Sequence, residues 1–527
     1  MDGTHLFELV IAMFLAIIAL HYAAQRFGLP PSVALLAGGA LLAFLPGLPA
    51  ITVDPALVLV IFLPPLLLDG AWSIAVARLR RHVIGIASLA VGAVFFTCAV
   101  VAVVTHFLFP SLPWAACAAL GAIVSPPDAV SARAVLERVT LPRRLQILLE
   151  GESLLNDASG LVLFRFAVSA AATGVFSTVE AVGDFLALAC GGALVGVAVG
   201  TVWVRFVRRL GDEYLIIAAT TLLAWISYLL GEFLHVSGVI ATVTTGLIAT
   251  WHQHTVLSAA TRMRGSSFWT VMIFLMEAAV FILIGLSLRD VVERGGGFGA
   301  VVATMGLPIL AILATLVAAR FAWVFASDVV LRLCNNMGLR RSSPLGIGGA
   351  TVLSWAGVRG VVTLALALSL PEDFPSRDFI LVTAFAVIVG TVLVQGTTLG
   401  RVIAWARLVE PESERARLTT SQAEAAMAQM QLLTVQSLAY DAEGHLIHPQ
   451  LLDRYQRRAT AIVDYAERTE HYIPVLHAHF EVVLEAVATG RRELIRLHRA
   501  GEIDDETLRE LERDLDLEEL SAISAKS

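Results

Sequence analysis

Apolar residues in most of this chain run continuously; they neither alternate nor recur on one helical face. From about residue 6 to residue 405, long apolar stretches follow one another, separated by short segments of Gly, Pro and charge. A helix needs about 20 mostly apolar residues to cross a bilayer. The runs therefore predict spans at 6–26, 30–47, 55–74, 83–109, 113–137, 144–172, 180–207, 213–232, 236–251, 267–288, 298–330, 346–370 and 378–405, thirteen in all. After about Glu410 the pattern turns polar, with apolar residues at helical spacing: Leu508, Leu511 and Leu515 form a stripe, and Asp504 or Asp505 stands at a capping position. The expected fold class is all-α: a polytopic membrane domain over 1–409 and a helical tail over 410–527.

Two spans are interrupted. Span 5 contains SPPDAV (125–130), where Pro126 and Pro127 remove two backbone donors and push the residue before each out of the helical region. Span 12 contains WAGVRGVV (355–362), with Gly357, Arg359 and Gly360 at mid-depth. Irregular backbone inside a membrane is tolerated only where it is buried in protein or lines a cavity. Spans 5 and 12 lie seven apart and so run in opposite directions. Broken helices at matching places of two inverted halves mark the substrate site of a secondary transporter. The halves would be spans 1–6 and 8–13, an inference from spacing alone.

Composition agrees. Charged residues make up 15% of the chain, against about 25% in a soluble domain, and the mean hydropathy is +0.78. Arginines gather in alternate loops: Arg26; Arg78, Arg80 and Arg81; Arg138, Arg143 and Arg144; Arg208 and Arg209; Arg262 and Arg264; Arg340 and Arg341. The excess of positive charge on one side puts those loops and the tail in the cytoplasm and the N-terminus outside. The N-terminal segment MDGTHLFELV lacks a basic region and cleavage site, so it reads as a first span. Cys98, Cys117, Cys190 and Cys334 are scattered without CxxC or His pairing, which argues against a disulfide framework or zinc site. No GxxxxGK[ST] loop is present, so neither nucleotide nor other cofactor is expected, and no feature suggests nucleic acid.

Span 6 carries the chemistry. Within LQILLEGESLLNDASGLVLFRFAV (145–168) stand Glu150, Glu152, Asn156, Asp157 and Arg165. An ionisable residue near the bilayer centre costs about 2.5–3.5 kcal/mol on insertion scales and is usually functional. Ser153 and Asp157, four apart, share a helix face; Glu152 and Asn156 form the neighbouring pair. Span 5 adds Asp128, and span 3 adds Asp69 in FLPPLLLDGAW (62–72). Carboxylate, hydroxyl, amide and carbonyl are all oxygen donors, which suit a hard cation. A buried carboxylate holds its proton more tightly than one in water, so it takes either a proton or a monovalent cation. Competition between the two at Asp157, with access alternating between sides, would give exchange. The blander alternative stays open: Asp157 and Asp69 as structural partners, Glu150 as an interfacial group, Arg165 snorkelling outward, and His252 and His254 at the interface.

Four motifs carry a family resemblance. GESLLNDASGLVLF (151–164), SPPDAVSARAV (125–135), FLPPLLLDGAW (62–72) and SWAGVRGVVTLALALSLP (354–371) resemble the monovalent cation:proton antiporter-1 family, which includes bacterial NhaP-type exchangers and animal sodium/proton exchangers. The resemblance covers about residues 1–405, and residues 491–519 also resemble tails of bacterial members. It implies thirteen helices in inverted six-helix repeats, a homodimer in the bacterial inner membrane, and electroneutral exchange of sodium, with lithium as a further substrate. It makes Asp157 the central cation- and proton-binding residue, with Asn156 completing an Asn-Asp pair. It makes Asp128 a second acid for cation and proton, Ser153 a hydroxyl ligand, and Asp69 a contributor to binding or access. It makes Glu152 and Arg359 an intramembrane ion pair, and Arg320 is placed near it. Where many members have Thr-Asp, this chain has Pro127-Asp128, which removes a hydroxyl and leaves the Pro127 carbonyl as candidate ligand. The rival expectations are potassium/proton exchange, or a channel or receptor that uses the fold without exchange.

Overall fold

The computed structural model describes residues 3–44, 55–73, 76–128, 141–173, 178–294, 296–337, 344–408, 420–441, 445–467, 469–500 and 502–526. The chain divides into two compact units, Met1–Glu410 and Pro411–Ser527. In the first, every described element is helical: α1 (Gly3–Phe27), α2 (Pro31–Ala43), α3 (Pro55–Ser73), α4 (Val76–Ala87), a π turn (Ser88–Ala93), α5 (Val94–Leu108) and α6 (Trp114–Val124). Then come α7 (Arg143–Thr173), α8 (Thr178–Val207), α9 (Glu213–Phe233), α10 (Gly238–Val256), α11 (Ala259–Leu286), α12 (Leu288–Arg294) and α13 (Phe298–Asn336). The unit closes with α14 (Gly346–Trp355), α15 (Val361–Leu368), α16 (Arg377–Gly390), a second π turn (Thr391–Gly396) and α17 (Thr397–Ala406).

Among the described residues, eight helices are long and apolar enough to cross a membrane, and Pro31–Ala43, Leu57–Trp72 and Trp114–Val124 are shorter apolar helices. Each expected span has a helical counterpart. Span 5 is represented by α6, its remainder falling largely in 129–140, outside the described residues. Span 12 is the pair α14 and α15. Proline acts according to context: Pro64 and Pro65 sit inside α3, and Pro308 inside α13, without ending either helix, whereas α6 stops just before Pro126.

Packing sorts these helices into two groups. α1, α2, α3, α8, α9, α10 and α11 pack mainly on one another, and so do α4 to α7 with α13, α14, α16 and α17. α15 touches both, lying against α6 and α16 and also against α3 and α11. The second group has a core of Val101, Leu120, Ile123, Ile312, Leu316 and Ala384, all with almost no exposed surface. α6 and α7 approach closely at Gly160, whose missing side chain leaves room for the Pro126 ring.

The second unit is a separate set of helices: α18 (Thr420–Leu438), α19 (Pro449–Glu467), α20 (Thr469–Arg499) and α21 (Asp505–Lys526). α18 packs on α19 and α20 on α21, with an isolated antiparallel bridge between Tyr440 and Leu446 joining the first pair. Asp504 caps α21, its Oδ1 accepting the Thr507 N–H at 2.8 Å. The expected leucine stripe is narrower than its spacing suggested. Leu508 and Leu515 are half-buried, but Leu511 is 43% exposed.

Candidate ion-binding site

The two broken helices meet. α6 ends at Val124, and its last carbonyls lose the donors that a continuing helix would supply. The Asp128 N–H, which would return to Val124 in an unbroken helix, donates instead to the Val358 carbonyl at 2.7 Å. Val358 lies in the gap between α14 and α15, so one hydrogen bond ties the two breaks together. Nearby, Asp128 rests its carboxyl on Gly360, where any side chain would run into it.

Arginines answer the orphaned carbonyls. Arg359 is buried and donates from Nε to Val124 O (2.8 Å), from Nη2 to Ser125 O (3.1 Å) and from Nη1 to Gly357 O. Arg320, from α13, donates from Nε and Nη2 to Leu353 O at 3.3 and 3.1 Å. That carbonyl would have served Gly357 had α14 continued. A helix C-terminus carries partial negative charge, so a cation there is favoured. Each half-helix end thus has its own guanidinium.

This arrangement corrects the expected ion pair. Glu152 is bound by Arg320, not Arg359: Oε1 accepts Nη1 at 2.6 Å and Oε2 accepts Nη2 at 2.8 Å, with both side chains at most 4% exposed. The reason is the donor geometry of arginine. Arg359 spends its fork on three carbonyls at the crossing, while Arg320 has one face for Leu353 and the other for a bidentate carboxylate.

On α7, Asn156 is fully buried, and its Nδ2 donates to the Pro127 carbonyl at 2.5 Å. Its Oδ1 is also buried and has no donor among the described residues. Asp157 is half-buried, makes no hydrogen bond among the described residues, and lies close enough to Asp128 for their charges to interact. Ser153 is half-buried one turn earlier on the same face. The structure therefore gathers Asp157, Asn156, Ser153, Asp128 and Pro127 where α7 passes the crossing. A carbonyl has two lone pairs, so Pro127 O can accept from Asn156 and still face a cation.

Asp69 goes elsewhere. It lines a cavity of about 290 Å³ formed by α3, α9, α10 and α11, with Thr220, Gln253, Thr261, Arg262 and Trp269 among its walls. Gly70, the next residue of α3, faces Leu154 of α7, while Asp69, about a quarter-turn round the helix, faces the cavity within α3's own group. Arg165 does more than snorkel; its Nη2 donates to Glu232 Oε2 of α9 at 2.9 Å, both side chains partly exposed. Glu150 Oε1 accepts from Gln146 Nε2 at 2.8 Å on its own helix.

Two residues escaped the reading of the sequence. Thr391 hydrogen-bonds Arg359 from the second π turn, and Glu277 is a partly buried carboxylate on α11 within LMEAAVFILIGL. A single acid in an otherwise apolar span was a usable signal for Glu277; Thr391 carried no such mark.

Known proteins are similar to this chain in sequence and in fold. Residues 10–405 match the family model described as sodium/hydrogen exchanger, transmembrane. An uncharacterized Na+/H+ exchanger of Mycobacterium tuberculosis is 30% identical over 98% of this chain and 96% of its own. A sodium, potassium, lithium and rubidium/H+ antiporter of Bacillus subtilis is 34% identical over 74% of this chain and 60% of its own. The solved sodium proton antiporter MjNhaP1 of Methanocaldococcus jannaschii superposes with TM-score 0.60 at 19% identity, covering 76% of this chain and 98% of its own. At that identity the likeness is one of fold.

Proposed function

The chain belongs to the transmembrane sodium/hydrogen exchanger family, and from that premise we propose that it exchanges sodium for protons one for one, with Asp157 as the shared binding group. It is a multi-pass membrane protein and a cation/proton antiporter, not an enzyme. Sodium as principal substrate, lithium as a second one, and the competition at Asp157 are our reading. The observation that carries it is the pairing on α7: a carboxylate without a hydrogen-bond partner among the described residues, beside an amide whose NH2 is held by Pro127. One ionisable group at this pair accommodates one positive charge at a time, either Na+ or H+.

In this reading a dehydrating sodium ion takes oxygen from the Asp157 and Asp128 carboxylates, the Ser153 hydroxyl and the Pro127 carbonyl, all hard donors. Asn156 positions the carbonyl and contributes no charge. Like charge on Asp128 and Asp157 favours whichever cation or proton neutralises the pair. Arg320 and Arg359 hold the crossing, so the site keeps its shape when empty. No nucleotide or cofactor enters the cycle; the ion gradients supply the driving force. The arginine-rich loops favour a bacterial inner-membrane orientation with the N-terminus outside and the tail in the cytoplasm. We further propose a homodimer and a regulatory tail.

Potassium is the second reading. Pro127 stands where many relatives carry a threonine hydroxyl, and the matched Bacillus subtilis protein is named for potassium as well as sodium. Purified protein in vesicles, supplied in turn with sodium, lithium and potassium, separates these readings by the proton flux each cation evokes. Proton movement with sodium and lithium and no net current supports the proposal. Proton movement with potassium alone replaces sodium by potassium, and a sustained current without coupled proton flux replaces exchange by a channel.

A further inference from the structure

We propose that Thr391 is a positioning residue of the exchange site, a proposal that rests on the reading of Asp128 and Asp157 as its carboxylates. Thr391 opens the second π turn and is buried. Its Oγ1 accepts the Arg359 N–H at 3.0 Å and donates to the Val387 carbonyl at 2.8 Å. The hydroxyl's hydrogen is thereby committed to its own helix and its lone pair to the gap between α14 and α15. A threonine that only back-bonds to its helix would do the first and not the second.

What the second bond holds is the backbone on which the acid rests. Arg359 stands between Val358, whose carbonyl takes the Asp128 N–H at 2.7 Å, and Gly360, against which the Asp128 carboxyl lies. Anchoring the N–H between those two contacts fixes both at once. The same residue's guanidinium closes the end of α6 through Val124 and Ser125. Thr391 thus sets, from a helix that lends no ligand, where Asp128 stands relative to Asp157 and where the Pro127 carbonyl points. The π turn fits this assignment, since such turns are frequent at functional sites.

Removing the hydroxyl leaves the Arg359 N–H buried and unpaired. It then seeks another acceptor by shifting the gap and carrying Asp128 with it. The cation, which needs several oxygens at fixed distances, registers that shift more than the rate of the conformational cycle does.

The test compares Thr391→Ser, Thr391→Ala and Thr391→Val in the full-length protein reconstituted in vesicles, with Asp157→Asn beside them. Serine and alanine differ only in the hydroxyl, so that pair decides the matter even where valine disturbs folding. We expect alanine to raise the apparent KM for the cation about five- to tenfold, the scale of one hydrogen bond, with maximal rate within about twofold and the pH profile displaced. Serine should restore wild-type KM and pH profile. Equal KM for serine and alanine, or a fall in maximal rate with KM unchanged, overturns the role of Thr391. Normal exchange by Asp157→Asn overturns the site reading on which it rests, whatever the Thr391 series gives.

Discussion

At the scale of single residues, burial decides which charges matter. Glu152 and Arg320 are a bidentate pair with almost no exposed surface, and removing one partner from such a pair leaves a buried charge, typically costing about 3–5 kcal/mol. Arg165 and Glu232 lie at a similar distance but are 44% and 31% exposed, where a pair is worth roughly 0–1 kcal/mol. Thermal unfolding of the purified protein should therefore drop strongly for Arg320→Ala and hardly move for Arg165→Ala; equal shifts would contradict the assignment. Asn156 gives a second prediction. Asn156→Asp exchanges the NH2 that faces Pro127 O at 2.5 Å for an oxygen, so acceptor meets acceptor. The expected result is a loss of about 1–3 kcal/mol of stability, the cost of an unmade buried hydrogen bond, together with impaired exchange. A variant as stable and active as the parent would show that the amide's donor is dispensable. The sequence made Asp157, Asn156, Ser153 and Asp128 legible because motif and helix phase both point to them. It paired Glu152 with Arg359 where the structure has Arg320, because two intramembrane arginines satisfy the same charge rule and only the position of orphaned carbonyls distinguishes Arg320 from Arg359.

At the scale of elements, helices were readable where composition alone forms them. Runs of apolar residues gave the spans, and Pro126-Pro127 and the glycines of 357–360 gave the two breaks. The π turns at Ser88–Ala93 and Thr391–Gly396 carry no comparable signature; each depends on how neighbouring helices pack. The cavity that Asp69 lines among α3, α9, α10 and α11 was not readable for a related reason, since which helices meet around α3 is invisible in one dimension. In the tail, the cap of α21 was readable and has a pH consequence. The Thr507 N–H holds the Asp504 carboxyl below the usual range. A carboxyl whose value is depressed in the folded state stabilises above its unfolded value and loses that contribution as pH falls through the folded value. Protection of the Thr507 amide against exchange, taken relative to its intrinsic rate at each pH, should fall in the full chain as the medium is acidified through that range. In Asp504→Asn, which caps without titrating, that fall should vanish; an unchanged acid response in that variant would assign it to another group.

At the scale of the whole molecule, two helix groups meet around a pair of crossed, interrupted helices, and the site residues on α7 belong to one group only. That division suits alternating access, in which one group carries the ion past the other. If proton and sodium compete for one carboxylate, acidification acts as a competitive inhibitor. The apparent KM for sodium should then rise by roughly tenfold per pH unit on the acid side, the slope of a single displaced proton, while the maximal rate holds. A maximal rate that falls with KM constant would place the titrating group outside the binding step. The measurement that tests the central claim most directly is sodium-driven proton flux in vesicles containing either the wild-type protein or folded Asp157→Asn. The account predicts flux without net current for the wild type and none for the variant; sodium-dependent proton flux of wild-type size in Asp157→Asn would contradict it.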